Sequence, residues 1–147
     1  MTGGPATYNL ADLFESVAAE VPERTAVVAG DHRLTYAELD ERADRLAGAL
    51  HSSGVGPGDF VGIQLPNGNE YLEVMLASFK LRAVPVNVNY RYVDDELRYL
   101  YADAGLVALV HHVDFAEAVT NALDAMAERR LVLRVGPGGD GDYEPTL

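Results

Sequence analysis

From residue 60 to residue 135 short apolar runs alternate with longer segments whose apolar residues recur every three to four positions. The runs at 60–65, 84–88, 106–110 and 131–135 predict strands. The run at 106–110, LVALV, is apolar throughout, which suits a strand covered on both faces. Between the strands lie helical patterns. The turn Pro66-Asn67-Gly68, with Asn67 as cap and Glu70 after it, opens a helix expected to bury Leu72, Met75, Leu76 and Phe79. Asp94, Asp95 and Glu96 open a second, with Leu97, Leu100, Tyr101 and Ala104 inward and Gly105 as the stop. Asp114 and Glu117 open a third, running to about Glu128. Strands joined through helices need crossover connections, which give parallel strands covered by helices. The expected fold is α/β, Rossmann-like, with a mainly parallel sheet and helices on both faces.

The stretch before residue 60 reads as a helix, a hairpin and a longer helix. Leu10, Leu13, Phe14, Val17, Ala18 and Val21 form a helical stripe, with Asn9 able to cap it and Pro22 to end it. Extended pieces at 26–29 and 32–35 flank the turn Gly30-Asp31. Thr35 and Glu38 have the spacing of a capping box, ahead of a stripe of Tyr36, Leu39, Ala43, Leu46, Ala47 and Leu50. Glu38–Arg42 and Glu41–Arg45 stand four apart on the wet side, contributing about 0.2–0.5 kcal/mol each. Residues 1–135 are read as one structural unit, and 136–147, rich in Gly, Asp and Pro, as a flexible tail or linker.

Charge and composition exclude several roles. The 147 residues carry 23 acidic and 11 basic side chains, a net charge of −12, which disfavours nucleic acid and anionic membrane as partners. There is no cysteine, so thiol chemistry and cysteine-bound zinc are excluded. Lys80 is the only lysine. The first residues show no basic flank or apolar core of a secretory signal, and no apolar run reaches the ~18 residues of a membrane span. A cytoplasmic location is expected.

The glycines of Gly54-Val55-Gly56-Pro57-Gly58 follow a helix and precede a strand, the reverse of a dinucleotide loop, so they read as a turn and cap. No phosphate-binding loop leads to Lys80. His32 and His51 are isolated, and the neighbours His111 and His112 point opposite ways on a strand, a poor chelate. No catalytic or metal-binding residue is assigned. Ligands of open parallel sheets collect beyond the carboxyl ends of the strands. The polar residues there are Asn67, Asn87, Asn89, Arg91 and His111, of which Asn89, Arg91 and His111 are the candidate ligand contacts. Asn67 reads as a helix cap, and the alternative for Asn89 and Arg91 is that they hold the turn before the acidic helix start.

Four pieces of sequence carry a family resemblance. Leu34-Thr35-Tyr36-Ala37-Glu38-Leu39 resembles the "LTYxEL" near the start of acyl-CoA synthetases and related adenylate-forming enzymes. Gly54-Val55-Gly56-Pro57-Gly58-Asp59-Phe60-Val61 resembles their "GVxxGDxV". Asn67 with Glu70, then Leu76-Ala77 and Lys80, is similar to their next helix, and Pro85 to Asn89 with Asp95-Glu96-Leu97 to the run after it. The stretch from Arg82 to Tyr92 further resembles actinobacterial fatty-acid and steroid side-chain CoA ligases, although Arg82 stands where most of the superfamily has glycine. The resemblance implies a two-step reaction: a carboxylate and Mg-ATP give an acyl adenylate and pyrophosphate, and coenzyme A then displaces AMP. The family's Ser/Thr/Gly-rich phosphate loop and its catalytic lysine have no counterpart among these residues. The expectation is therefore an N-terminal fragment, inactive alone and binding no cofactor itself, with ATP, Mg and CoA belonging to the full-length enzyme. Its expected partner is the remainder of a larger ligase or a second copy, met through an exposed apolar patch. A stand-alone binding or assembly module of the same fold is the alternative.

Overall fold

A computed structural model describes residues 8–147; residues 1–7 of the unit read as 1–135 lie outside the described part. The chain runs α1 (Leu10–Glu20), β1 (Thr25–Ala29), β2 (His32–Thr35), α2 (Tyr36–Ser52), β3 (Phe60–Gln64), α3 (Asn69–Lys80), β4 (Val84–Asn87), α4 (Asp94–Asp103), β5 (Leu106–His112), α5 (Ala116–Ala122), β6 (Leu131–Val135) and α6 (Tyr143–Thr146). β1 and β2 pair antiparallel as a hairpin turned by Gly30 at φ +59°. The remaining strands form a parallel sheet in the order β4-β3-β5-β6. On one face α2, α3 and α6 pack Leu46, Leu50, Val74, Ala77 and Tyr143 against Val61, Ile63, Val110 and Leu133. On the other, α4 and α5 pack Leu97, Tyr101, Val119 and Ala122 against Leu106 and Leu109. β5 is buried along nearly its whole length, as its apolar run requires.

The capping signals of the first two helices form as read. Asn9 Oδ1 accepts the Ala11 amide at 2.8 Å, and Thr35 and Glu38 close their box at 3.2 and 2.8 Å. Gly54 and Gly58 adopt positive φ, 93° and 82°, so this stretch is a turn and cap.

Five details differ from expectation. In α3 the inward face is Glu73, Val74, Ala77 and Ser78, and Leu72 is 38% exposed. The helix is rotated because Glu73 is drawn inward by Arg42 and Tyr143. Gly68, not Asn67, is its N-cap residue. The helix read from 114 to 128 is broken: 3-10 turns at Val113–Phe115 and Leu123–Ala125 flank α5. The tighter second turn lets the chain become extended at Met126, whose side chain is buried, on the way to β6. In α1 the inward residues are the small Ala11 and Ala18, while Leu10 and Leu13 are 59% and 63% exposed. Two ion pairs set that rotation, Lys80 with Glu15 at 2.7 Å and Arg82 with Asp12 at 3.0 Å. An exposed apolar face on α1 results. Finally, residues 136–147 are packed where looseness was expected: Tyr143 is buried in the core and Leu147 packs on it.

Arg82 is the described non-glycine residue with positive φ, 59°. Its guanidinium donates to Phe79 O, Lys80 O and Asp12. Left-handed backbone costs a branched-off side chain about 1 kcal/mol, comparable to the surface pair it makes. Arg82→Gly is expected to leave the unfolding free energy from urea titration within about 1 kcal/mol of the parent, while the α1 amides exchange faster. A larger fall would show that the Asp12 contact outweighs the strain.

Candidate functional site

β3 lies inside the sheet. The chain passes from it to β4 on one side, then crosses to β5 on the other. The carboxyl ends of β3 and β5 therefore flank the point where strand order reverses, and crevices at such points are where α/β sheets hold ligands. A cleft of about 150 Å³ sits there, walled by Leu65 to Gly68, Glu70, His112 and Val135 to Pro137. It shares Glu70 and Val135 to Pro137 with a larger cleft of about 370 Å³, walled further by Arg42, Asn69, Arg134 and Tyr143.

The residues singled out in the sequence divide. Asn67 lines the smaller cleft and leaves the helix cap to Gly68. Asn89 and Arg91 are exposed beyond edge strand β4, and line neither cleft. Asn89 Oδ1 accepts the Arg91 amide at 3.0 Å, so its side chain holds the turn. His111 pairs with Gln64 and Arg134 across the sheet, is buried, and places Nδ1 3.0 Å from the His112 carbonyl. Burial pushes the His111 pKa down, against the pull of that carbonyl. His112, not His111, faces the cleft.

A group whose folded pKa is depressed loses its stabilising contribution as pH falls below the unfolded value, about 6.5 for histidine. The thermal midpoint should therefore drop between pH 7.5 and 5.5, and drop less in His111→Gln. Equal drops in the two proteins would remove His111 as the cause.

The sequence reading missed a buried ionic cluster beneath the larger cleft. Glu73 is fully buried on α3. Arg42 of α2 donates to it through Nε at 2.7 Å and Nη2 at 3.2 Å, Asn69 Nδ2 at 2.7 Å, and the Tyr143 hydroxyl at 2.6 Å. Arg42 also holds Glu144, with Nη2 at 2.5 Å and Nη1 at 3.1 Å. Partial burial opposes the Arg42 charge, but the hydrogen bonds to Glu144 and Glu73 raise its pKa above the ordinary value. Burial, reinforced by the Glu73 charge, raises the Tyr143 pKa. The available signal was Glu73 sitting next to Val74 and one turn before Ala77. On the opposite face of the sheet the Tyr101 hydroxyl donates to Gln64 Oε1 at 2.5 Å, while Gln64 Nε2 is buried without a partner.

Lys80 ends α3 and meets Glu15, Asp40 and Asp44 at 2.7, 2.8 and 2.7 Å. Burial works against its charge, but these carboxylates raise its pKa above the ordinary value. The three carboxylates lie within 4.8 Å of one another, a spacing that suits a divalent cation, and the ammonium fills it. Lys80→Met is expected to lower stability by about 1 kcal/mol at low salt. Millimolar Ca²⁺ should restore the variant's melting temperature and leave the parent unchanged. No restoration would show that the acids disperse without the amine.

Both clefts carry acid at their walls, Glu70 in each and Asp140 and Glu144 in the larger. Arg98 and Arg130 are paired elsewhere, with Asp124 and with Asp59 and Glu128. The larger cleft also carries Arg42 and Arg134, with Arg42 paired to Glu73 and Glu144.

The family model described as "AMP-binding enzyme" matches residues 14–145. The chain is 44% identical over 135 residues to 3-oxocholest-4-en-26-oate–CoA ligase of Rhodococcus rhodochrous, covering 92% of this chain and 24% of that one. It is also 44% identical over 135 residues to a medium/long-chain-fatty-acid–CoA/3-oxocholest-4-en-26-oate–CoA ligase of Mycobacterium marinum, again covering 92% and 24%. Among solved structures, the N-terminal domain of FACL13 from Mycobacterium tuberculosis superposes with a TM-score of 0.77 at 26% identity, covering 89% of this chain and 34% of that one. The chain thus spans about a quarter of the length of the curated relatives it matches.

Proposed function

The chain belongs to the family of AMP-binding enzymes, and from that premise we propose that it is the N-terminal part of an ATP-dependent acyl-CoA ligase acting on a fatty acid or a steroid side-chain acid. The observation that carries the proposal is 44% identity to two such ligases over nearly the whole chain. In the full enzyme the carboxylate would attack Mg-ATP to give an acyl adenylate, and coenzyme A would displace AMP. We assign the ATP contacts to the remainder of the ligase: the sole lysine is committed to three carboxylates and Arg42 to two, and Arg134 shares the larger cleft with Glu70, Asp140 and Glu144. No step of the reaction is therefore assigned to this chain's side chains, and alone it is expected to be inactive. Its part is to supply a rigid sheet, one side of the crevice, and the outer face of α1 as a surface for the remainder of the ligase or for a second copy. Of the candidate ligand contacts, Arg91 is exposed and charged, whereas Asn89 is occupied by its turn and His111 is buried. No helix among the described residues is long and apolar enough to cross a membrane, and we place the enzyme in the cytoplasm.

A chimera tests the proposal. Residues 14–145 replace the matching segment of the Rhodococcus ligase, and pyrophosphate release is followed with 3-oxocholest-4-en-26-oate, ATP and CoA. Activity within about tenfold of the parent is expected. A folded, monodisperse chimera without activity would favour the alternative, a stand-alone binding or assembly module.

A further inference from the structure

We propose that Asn67 is a site of spontaneous modification, where the Gly68 amide closes on the asparagine side chain and the crevice wall gains a carboxylate. Such a reaction needs an asparagine side chain free to swing onto the next peptide nitrogen. It also needs that nitrogen to be free of hydrogen bonds and uncrowded by a side chain. Asparagine is followed by glycine once in the sequence, in the turn Pro66-Asn67-Gly68 ahead of α3, and glycine leaves the nitrogen least obstructed. Asn67 is exposed, and among the described residues neither its side chain nor the Gly68 N–H has a hydrogen-bond partner.

The other five asparagines each fail a condition. Asn9 Oδ1 accepts the Ala11 amide at 2.8 Å, and Asn89 Oδ1 the Arg91 amide at 3.0 Å. Asn69 Nδ2 is held by Glu73 at 2.7 Å, and Asn121 Nδ2 by Asp94 at 3.1 Å. The side chain of Asn87 is exposed, but the next amide, of the buried and branched Val88, donates to Ile63 O at 2.9 Å.

The step balances with water as the co-reactant. Solvent base takes the Gly68 amide proton, the nitrogen attacks Asn67 Cγ, the Cγ–Nδ2 bond breaks, and ammonia leaves a succinimide ring. Water then opens the ring at one of its two carbonyls. Breaking the new N–Cγ bond gives aspartate, and breaking the original peptide bond gives isoaspartate, with the chain rerouted through the side-chain carbons. Asn67 walls both the cleft at the switch point and a groove of about 470 Å³ beside Val27, Val28, Tyr71 and Leu72. Aspartate adds an acid to the cleft that Glu70 already walls, ahead of the positive end of α3. Isoaspartate lengthens the backbone between β3 and α3 by one carbon, which displaces the same wall.

Ageing the folded 147-residue chain in mildly alkaline buffer tests this, with fragment masses locating any NH2 replaced by OH and enzymatic carboxyl methylation reading isoaspartate. The expected product is at Asn67, and it should form more slowly in mildly acidic buffer. Gly68 is extended, φ −174° and ψ −178°, and an added Cβ would meet only Glu70 Oε2 at 2.9 Å, the end of a flexible side chain. Gly68→Ala should therefore melt as cooperatively as the parent and react about tenfold more slowly, a barrier higher by about 1.4 kcal/mol. Equal rates in the parent and Gly68→Ala would overturn the proposal, as would a product at another asparagine. So would reaction in the urea-unfolded chain with none in the folded one, because the turn would then forbid the ring.

Discussion

Glu73→Ala is expected to cost about 3–5 kcal/mol, the usual effect of removing one partner from a buried ionic cluster. Total stabilities run to about 5–15 kcal/mol, so the loss is a large fraction of what holds the domain together. The melting temperature should fall by about 6–20 °C. The cause is the set of donors left behind. Arg42 retains Glu144, but Asn69 Nδ2 and the buried Tyr143 hydroxyl lose their acceptor. Removing both charges and the buried hydroxyl together, as Arg42→Met, Glu73→Leu and Tyr143→Phe in one chain, should recover most of the loss, because only the half-buried Asn69 amide then lacks its acceptor and apolar replacement of buried charge is often neutral. Calorimetric scans of the two variants decide it. A triple variant no more stable than Glu73→Ala would mean that the cluster stabilises by itself and not by avoiding orphaned groups.

Tyr101→Phe carries the second large effect. Burial raises the pKa of the Tyr101 phenol, so it remains a neutral donor to Gln64 Oε1. Gln64 Nε2 is already unpartnered, so removing the hydroxyl leaves a buried amide bonded at neither end. The expected cost is about 1–3 kcal/mol. Gln64→Leu alone should cost a similar amount by orphaning the hydroxyl. The double variant should be more stable than either single one, since replacing both partners with apolar groups is close to neutral. Urea unfolding of the four proteins gives the coupling directly. Additive losses would show that the two side chains do not depend on each other.

The sheet was legible because its signal is local and repeated. The apolar runs, the capping box of Thr35 and Glu38 and the positive-φ glycine at Gly54 each announce themselves within a few residues. The face of α3 was not legible, because periodicity counts Leu72 as apolar and Glu73 as polar. What turned the helix was a guanidinium 31 residues away in sequence. Tail composition likewise predicted looseness, since Gly, Asp and Pro dominate it. One tyrosine with a buried acceptor outweighed them. The candidate site followed the same division. Asn67 stands at the crevice that the topology predicts, whereas Asn89 and Arg91 lie past the edge strand and His111 turns into the protein, leaving His112 to face the cleft.

Because β5 lies between β3 and β6, the sheet cannot close until the chain has been made at least through residue 112. Until then β3 has only the short edge strand β4 beside it. The arriving β5 segment is apolar over LVALV, with high strand propensity and no charge, the composition that associates with copies of itself when unprotected. Pairing β3 with β5 also spans the whole of α3, β4 and α4, a long-range contact that slows folding. Yield during synthesis should thus depend on how quickly β5 inserts. Gly105 and the two histidines that bracket the run limit how far an exposed β5 can zip against its own kind.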